Sequence, residues 1–137
     1  MTLVLDTSSA VEFILNRPNA PAIESYLYNA NRVITPELYV AELANVLWKY
    51  VHFKQMSKVK ASNFLELALE LPDEIMPGKE FAAEAFSMAC VSQHSAYDLF
   101  FILLARRNNA TVLTLDTKLA KLAKQLDVQV FMPTADA

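Results

Sequence analysis

An uninterrupted run of apolar side chains occupies residues 99–105. A helix with this composition has no face for water and belongs in the middle of a domain. A seven-residue apolar run would also suit a buried strand, and periodicity alone does not separate the two structures. Leu and Ala dominate the run, only Ile102 is β-branched, and Ser95 precedes it as a possible helix cap. The pattern therefore predicts a central buried helix that begins after Ser95.

Short apolar runs elsewhere in the chain alternate with amphipathic stretches. Strands are predicted at residues 2–5, 32–34, 111–115 and 128–131, and a further short strand at residues 74–76. Helices are predicted at residues 10–15, 21–30, 35–52, 57–71, 79–93 and 118–126, besides the central one. This alternation predicts an α/β fold with a mainly parallel sheet of four or five strands.

Residues that favour helix ends support these boundaries. Ser9 with Glu12 has the spacing of a capping box, which predicts that the first helix begins after Ser9. Thr35 before Pro36 has the pattern of an N-cap followed by proline at the first helical position. Asn108 and Asn109 follow the central helix, where a residue that tolerates the left-handed conformation is expected.

Length and composition narrow the class of protein. The 137 residues suit a single domain spanning residues 1–137, and the chain is long enough to bury a core. Hydrophobic residues make up 54% of the chain, a surplus that a partner subunit could cover. No apolar stretch approaches the roughly 18–20 residues of a membrane span. With one glycine in the whole chain, glycine-rich phosphate-binding loops are excluded.

The charge, the cysteine content and the N-terminus bear on compartment and ligands. A formal net charge of −3 does not favour a nucleic-acid binder, unless the negative charge is concentrated where cations neutralise it. A single cysteine cannot form an internal disulfide and suits a reducing compartment. The N-terminus lacks the basic region of a signal peptide and reaches an acid at Asp6. We therefore expect a cytoplasmic protein.

Two acids follow predicted strands, and two lie on predicted helices that are mostly apolar. Asp6 and Asp116 stand at the carboxyl ends of their strands, which meet at one edge of a parallel sheet and form the usual ligand-binding edge. Glu42 lies within an apolar helix, and Asp98 lies at the entry to the central helix. Three of these acids also have an ordinary explanation: helix capping for Asp98 and Asp116, and a solvated side chain for Glu42.

Four converging carboxylates would require cations. Two unit charges about 4 Å apart repel by roughly 4 kcal/mol at an effective dielectric near 20. A cluster of this kind therefore takes up protons or binds metal ions. Oxygen ligands without His or Cys favour Mg²⁺ or Mn²⁺ over zinc, and a carboxylate-held divalent ion suits phosphoryl chemistry.

The segments that carry these acids together resemble one known family. They read Val-Leu-Asp6-Thr-Ser-Ser, Pro36-Glu-Leu-Tyr-Val-Ala-Glu42-Leu-Ala-Asn45, Ser95-Ala-Tyr-Asp98-Leu-Phe-Phe and Leu-Thr114-Leu-Asp116-Thr-Lys. In this order and spacing they are similar to the PIN-domain nucleases, and within these to the VapC-type toxins of toxin–antitoxin pairs. The resemblance spans essentially the whole chain.

The resemblance implies a three-layer α/β/α sandwich and an endoribonuclease that depends on Mg²⁺ or Mn²⁺. Asp6, Glu42 and Asp98 match the family's core metal-binding acids, and Asp116 matches its fourth. Thr114 and Ser8 match small hydroxyl residues near those acids. The resemblance also implies an RNA substrate, an antitoxin partner of a type II toxin–antitoxin system and, together with the apolar surplus, a homodimer.

Further site residues are inferred from their positions. Asn45 lies one helical turn after Glu42, so we expect it to orient the Glu42 carboxylate. Arg17 and Lys118 lie near two of the acidic segments and are the first candidates for contacts with RNA phosphates.

Three other functions were weighed against this one. A haloacid-dehalogenase-type phosphatase needs a second acid two residues after the first, where this chain has Ser8. A receiver-type signalling domain needs an acidic pair near the first strand, and Asp6 has no acidic neighbour before Glu12. A catalytically weak PIN-like binding subunit of a toxin–antitoxin or RNA-processing complex stays open as the alternative.

Overall fold

The computed structural model describes residues 1–133, which form a parallel sheet and seven α-helices. The strands are β1 (Thr2–Leu5), β2 (Arg32–Pro36), β3 (Glu74–Met76), β4 (Thr111–Leu113) and β5 (Val130–Phe131). The helices are α1 (Thr7–Ile14), α2 (Ala20–Asn29), α3 (Leu38–Lys54), α4 (Lys58–Glu70), α5 (Ala82–Ser92), α6 (Ala96–Arg107) and α7 (Thr117–Gln125). A short 3-10 turn, Lys79–Phe81, leads into α5.

All five strands run parallel in the order β3-β2-β1-β4-β5. Helices α1 to α4 contact one another, whereas α5 packs against α6. Connections between parallel strands are right-handed. The chain first moves from β1 through β2 to β3 and then returns to β4 on the other side of β1, so the helices of these two parts lie on opposite faces of the sheet. The predicted α/β/α fold with a mainly parallel sheet is therefore confirmed.

The apolar run predicted as a central helix is α6. Ser95 caps this helix by accepting a hydrogen bond from the Tyr97 N–H at 3.2 Å. Every side chain from Leu99 to Ala105 is buried except Phe100, which is partly exposed. The helix packs against β1, β2 and β4. Residues 99–105 have no polar face and anchor α6 in the core. This anchoring fixes the position of the first turn of α6 relative to the ends of the strands.

Two predicted helix starts are wrong. The first helix begins at Thr7 with Asp6 as its N-cap, so Ser9 and Glu12 form no capping box. Ser9 is buried, and Glu12 Oε2 accepts a hydrogen bond from the Asn19 N–H at 3.1 Å. The physical reason is that the backbone leaves its extended conformation immediately after Asp6, so the turn that Ser9 would cap is already helical.

The third helix also begins later than predicted, because β2 continues through Thr35 and Pro36. Pro36 lies opposite Met76 in β3, and the Glu37 N–H donates to the Met76 carbonyl at 2.9 Å. Thr35 is buried and donates its hydroxyl to the Leu5 carbonyl at 2.7 Å, so it joins two strands instead of capping α3. Proline is tolerated there because that position needs no donor for the sheet.

Other predicted ends are confirmed. Ser57 accepts from the Lys60 N–H at 3.1 Å and caps α4, and Asn109 has a left-handed φ of 49° after α6. The strands β4 and β5 are shorter than predicted, because β4 ends at Leu113 and β5 begins at Val130. The single domain over residues 1–137 stays a prediction, and residues 134–137 lie outside the described part.

No single helix within residues 1–133 is long and apolar enough to cross a membrane; the bent pair Lys79–Ser92 and Ala96–Arg107 passes the same test of length and composition only when taken together.

Candidate active site

The order of the strands reverses at β1, and this reversal creates a crevice at one edge of the sheet. From β1 the chain proceeds to β2 and β3 on one side, and later adds β4 and β5 on the other. In open parallel sheets, ligands bind at the carboxyl ends of the two strands that flank such a switch point. Asp6 follows β1 directly, and its N–H donates to the Leu113 carbonyl at the end of β4. The site is therefore expected between these two strand ends.

A cleft of about 530 Å³ opens at this place. The four predicted acids, Asp6, Glu42, Asp98 and Asp116, all line it. They come from the ends of β1 and β4, from α3 and from the first turn of α6. Tertiary structure thus brings together four carboxyl groups that are far apart along the chain.

Two hydroxyl groups hold the Asp6 carboxylate. Ser8 Oγ and Thr114 Oγ1 each donate to the same oxygen, Asp6 Oδ2, at 2.6 Å. Backbone N–H groups then orient both hydroxyls, since the Leu115 N–H donates to Ser8 Oγ at 3.0 Å and the Asp116 N–H to Thr114 Oγ1 at 2.9 Å. Because each hydroxyl has one proton, both protons are used on Asp6. This arrangement fixes the carboxylate and leaves Oδ1 outside the hydroxyl pair.

Burial dominates the acidity of Asp6, which is 6% exposed. Desolvation raises the pKa of its carboxyl group above the ordinary value, and the negative charge of Asp116 raises it further. Hydrogen bonds from Ser8, Thr114 and the Thr7 backbone lower the pKa and oppose this rise. The native fold therefore holds a carboxyl group whose ionised form is stabilised by three donors but still lacks a positive partner.

Glu42 reaches the cleft from the middle of α3. Its Oε1 accepts a hydrogen bond at 2.8 Å from the hydroxyl of Thr7, the first residue of α1. Desolvation raises the pKa of Glu42, the Thr7 bond lowers it, and the charges of Asp6, Asp98 and Asp116 raise it. Glu42 is therefore not the solvated mid-helix side chain of the ordinary interpretation.

The predicted partner of Glu42 was Asn45, and the structure does not support this role. Asn45 lines the cleft, yet within residues 1–133 it makes no hydrogen bond to Glu42. Thr7 takes that role instead, and sequence reasoning missed it. The available signal was a hydroxyl residue directly after the first acid.

Asp98 lies in the first turn of α6 and is half-buried. The capping-box explanation fails in part, because Ser95 accepts from Tyr97 and no hydrogen bond within the described residues reaches the Asp98 carboxylate. Desolvation raises its pKa, and the charges of Asp116 and Asp6 raise it as well, whereas His94 and Lys118 lower it. The Asp98 side chain therefore lines the cleft with no hydrogen bond to its carboxylate within the described residues.

Asp116 is exposed and caps α7. Its Oδ1 accepts from the N–H groups of Lys118 at 2.9 Å and of Leu119 at 3.4 Å. The ordinary explanation of Asp116 as an N-cap is therefore correct. It is compatible with a place in the cleft, because capping engages only one of the two carboxylate oxygens.

The donor set suits a hard divalent cation. Within residues 1–133 no three His, Cys, Asp or Glu side chains already stand close enough together to form a complete ligand group. Mg²⁺ commonly keeps several waters and takes one or two carboxylates directly, so a wider ring of acids fits it better than it fits zinc. Desolvation, followed by the charges of neighbouring acids, raises the pKa values of Asp6, Glu42 and Asp98, so their ionised forms lack a compensating positive charge. A cation would supply that compensation.

The basic residues predicted to contact RNA differ in their places. Arg17 lines the cleft, together with Lys49 and Tyr50, which sequence reasoning did not select. Lys118 is exposed in the first turn of α7 and is not part of the lining, although its charge acts on Asp98.

Comparisons with known proteins found a matching family and several similar chains. The family model described as PIN domain matches residues 3–125. Ribonuclease VapC3 from Pyrobaculum aerophilum is 28% identical over 123 residues, which are 88% of this chain and 94% of that protein. The crystal structure of PAE2754 from Pyrobaculum aerophilum aligns with a TM-score of 0.75 at 15% identity, over 99% of this chain and 85% of that one.

A second solved structure is VapBC-1 from nontypeable Haemophilus influenzae, with a TM-score of 0.69 at 20% identity over 96% of this chain and 97% of that one. Both structural matches establish a shared fold. The family match covers the segments that carry all four acids of the cleft.

Proposed function

Because the chain belongs to the PIN domain family, we propose that it is a Mg²⁺- or Mn²⁺-dependent endoribonuclease that hydrolyses RNA phosphodiester bonds. The observation that carries the proposal is the convergence of Asp6, Glu42, Asp98 and Asp116 on one cleft at the switch point of the sheet. Its similarity to Ribonuclease VapC3 supports RNA as the substrate.

The proposed roles follow from what each side chain touches. Asp6, Glu42 and Asp98 would hold the cation, and Asp116 would contribute a further carboxylate from the N-terminus of α7. Ser8 and Thr114 keep Asp6 Oδ2 in place, and Thr7 keeps Glu42 in place. When bound, Mg²⁺ or Mn²⁺ supplies a more acidic water and a positive charge for phosphate oxygens.

The experiment is cleavage of a labelled single-stranded RNA with Mg²⁺, with Mn²⁺ and with EDTA. We expect cleavage only with the metals, and a loss of at least about a hundredfold in Asp6→Ala and in Asp98→Asn. Asp127→Asn is the matched control, because Asp127 has a left-handed φ of 58° that Asn tolerates and lies outside the cleft. Equal cleavage by Asp98→Asn and the wild type would refute the proposal.

The alternative is a catalytically weak binding subunit. It is favoured by one observation, the lack of a complete ligand group of three acidic, His or Cys side chains within residues 1–133. The same assay separates the two functions. If the wild type in either metal cleaves no RNA faster than the Asp6→Ala variant, the binding function is the better explanation.

We also propose that the enzyme is the toxin of a type II toxin–antitoxin system, acts in the cytoplasm and forms a homodimer. The fold shared with VapBC-1 supports an antitoxin partner. Large apolar side chains, among them Phe86, Val91 and Trp48, are exposed on α5 and α3 and would be covered by partners. Co-expression with the product of a neighbouring small reading frame, followed by sedimentation of the free and the mixed protein, tests both partners.

A further inference from the structure

The lining of the acidic cleft includes an arginine, a lysine and a tyrosine. Arg17, Lys49 and Tyr50 line the cleft together with the four acids. The Arg17 guanidinium lies over the Tyr50 ring, with Cζ 5.2 Å from the ring centroid. This distance is within the range at which a cation is attracted by the face of an aromatic ring. This part of the lining therefore combines positive charge with two planar groups, the guanidinium and the tyrosine ring.

Neither cation is neutralised by the surrounding acids. The ion pairs within residues 1–133 are Arg32 with Glu74 and Arg107 with Glu84, and none of these four residues lines the cleft. Glu12 also lines the cleft, but its Oε2 accepts from the Asn19 N–H and it forms no ion pair with Arg17. The Arg17 guanidinium thus contacts the Tyr50 ring and forms no ion pair within residues 1–133, which leaves its N–H groups available to a ligand.

The loop that carries Arg17 is held in place by its backbone. The Arg17 N–H donates to the Glu12 carbonyl at 3.0 Å, and the Ala20 N–H donates to the Arg17 carbonyl at 2.9 Å. Asn16, just before it, has a left-handed φ of 53°. The side chain is exposed, whereas Tyr50 beneath it is partly buried. Tyr50 thus supports one side of the guanidinium, and its outer side faces the solvent.

We propose that the Arg17–Tyr50 pair is a stacking platform for one nucleobase of a single-stranded RNA, with Lys49 beside it for the backbone phosphate. This inference rests on the proposed function. Planar guanidinium groups and aromatic rings are the surfaces on which unpaired bases stack, whereas bases within a duplex have no free face. Arg17 contacts the base, and Tyr50 is a positioning residue that keeps the guanidinium in place.

The test is a cycle that combines protein variants with abasic substrates. Binding of a fluorescein-labelled single-stranded RNA is measured by anisotropy in the Asp98→Asn background, with a series of oligonucleotides that each lack one base. Arg17→Lys keeps the charge but removes the planar group, and Tyr50→Leu removes the support. We expect each to weaken binding of the intact RNA by about tenfold. On the oligonucleotide that lacks the stacked base, neither substitution should weaken binding further.

Two controls separate stacking from general damage. Arg107→Lys is the matched variant, because Arg107 also lies over an aromatic ring, Phe81 at 4.6 Å, but is ion-paired with Glu84 and outside the cleft. It should bind like the parent. Tyr50→Phe should retain binding, since the ring that supports Arg17 is preserved. In the active enzyme, Arg17→Lys should raise KM and leave kcat close to the wild-type value.

The possible failures are distinguishable. If the wild type cleaves no RNA with either metal, the proposed function itself fails. If it cleaves RNA but Arg17→Lys binds the intact oligonucleotide like the parent, Arg17 acts as a charge alone and the stacking platform is refuted. A loss that stays tenfold on every abasic oligonucleotide would refute it as well.

Discussion

Replacing Thr114 with Val should reveal how strongly the fold depends on the Asp6 carboxylate. Thr114 is fully buried, and Val has nearly the same shape, so the change removes the hydroxyl and little else. The variant loses the 2.6 Å bond to Asp6 Oδ2 and the acceptor of the Asp116 N–H. A hydrogen bond to a charged group contributes about 1.5–3 kcal/mol, and water can replace the bond to the exposed Asp116. We expect the free energy of unfolding to fall by about 2–3 kcal/mol at a pH at which Asp6 is ionised in the fold.

The pH dependence of this loss identifies its cause. Burial raises the pKa of Asp6 in the folded state, and the Thr114 hydroxyl lowers it, so the variant has a still higher pKa. A folded-state pKa above the unfolded value means that stability decreases as pH rises through the folded pKa. The decrease is steeper in the variant. The difference between wild type and variant should therefore grow with rising pH and shrink by about half once Asp6 is protonated.

Urea denaturation in EDTA between pH 4.5 and 8 measures this difference. Thr111→Val is the matched control, because Thr111 is 3% exposed, lies in β4 three residues before Thr114 and donates at 3.0 Å to the neutral amide oxygen of Gln129. Its loss should be about 1 kcal/mol and independent of pH. If the two variants lose equal stability at every pH, the reasoning about a charged Asp6 is wrong.

Two further predictions concern the other acids. Without metal, Asp98→Asn should raise the urea midpoint at pH 7, because desolvation and the like charges of Asp116 and Asp6 raise the Asp98 pKa and make its ionised form unfavourable in the fold. Mg²⁺ at one hundred times its Kd should stabilise the wild type by about 3 kcal/mol and this variant much less. Asp116→Asn should keep the cap of α7 and lose RNA cleavage, whereas Asp116→Ala should also lose about 1 kcal/mol of stability; equal stability of both variants in urea would contradict this.

Much of the fold follows from local patterns. The apolar run of α6, the strand-and-helix alternation and the caps at Ser57 and Ser95 are local features that tertiary contacts do not alter. The start of α3 was wrong because its determinant is not local. Thr35 and Pro36 have the pattern of a helix start, but the pairing of β2 with β3 extends the strand through both residues.

Asp6 and Asp116 could be chosen from the sequence because parallel topology is restrictive, whereas Glu42 and Asp98 were chosen as acids in apolar helices and from the resemblance to PIN-domain nucleases. Acids at the ends of parallel strands share one edge, whatever the order of the strands. The hydroxyl network was only partly predictable. Helical spacing places Asn45 on the same side of α3 as Glu42, but the Glu42 carboxylate extends to α1 and meets Thr7. Where two helices cross is decided by packing, which spacing along one helix does not contain.

The ordinary and the functional explanations of an acid in a cleft are often treated as alternatives, and Asp116 shows why they need not be. Its Oδ1 binds the N–H groups of α7, and this bond fixes the carboxylate in the cleft. The Asp116 N–H in turn orients the Thr114 hydroxyl that holds Asp6. The cap is therefore part of the device that positions both acids. The N-terminus of α7 at the end of β4 therefore makes this side of the cleft rigid. Removing the cap should loosen the carboxylates of Asp6 and Asp116 together.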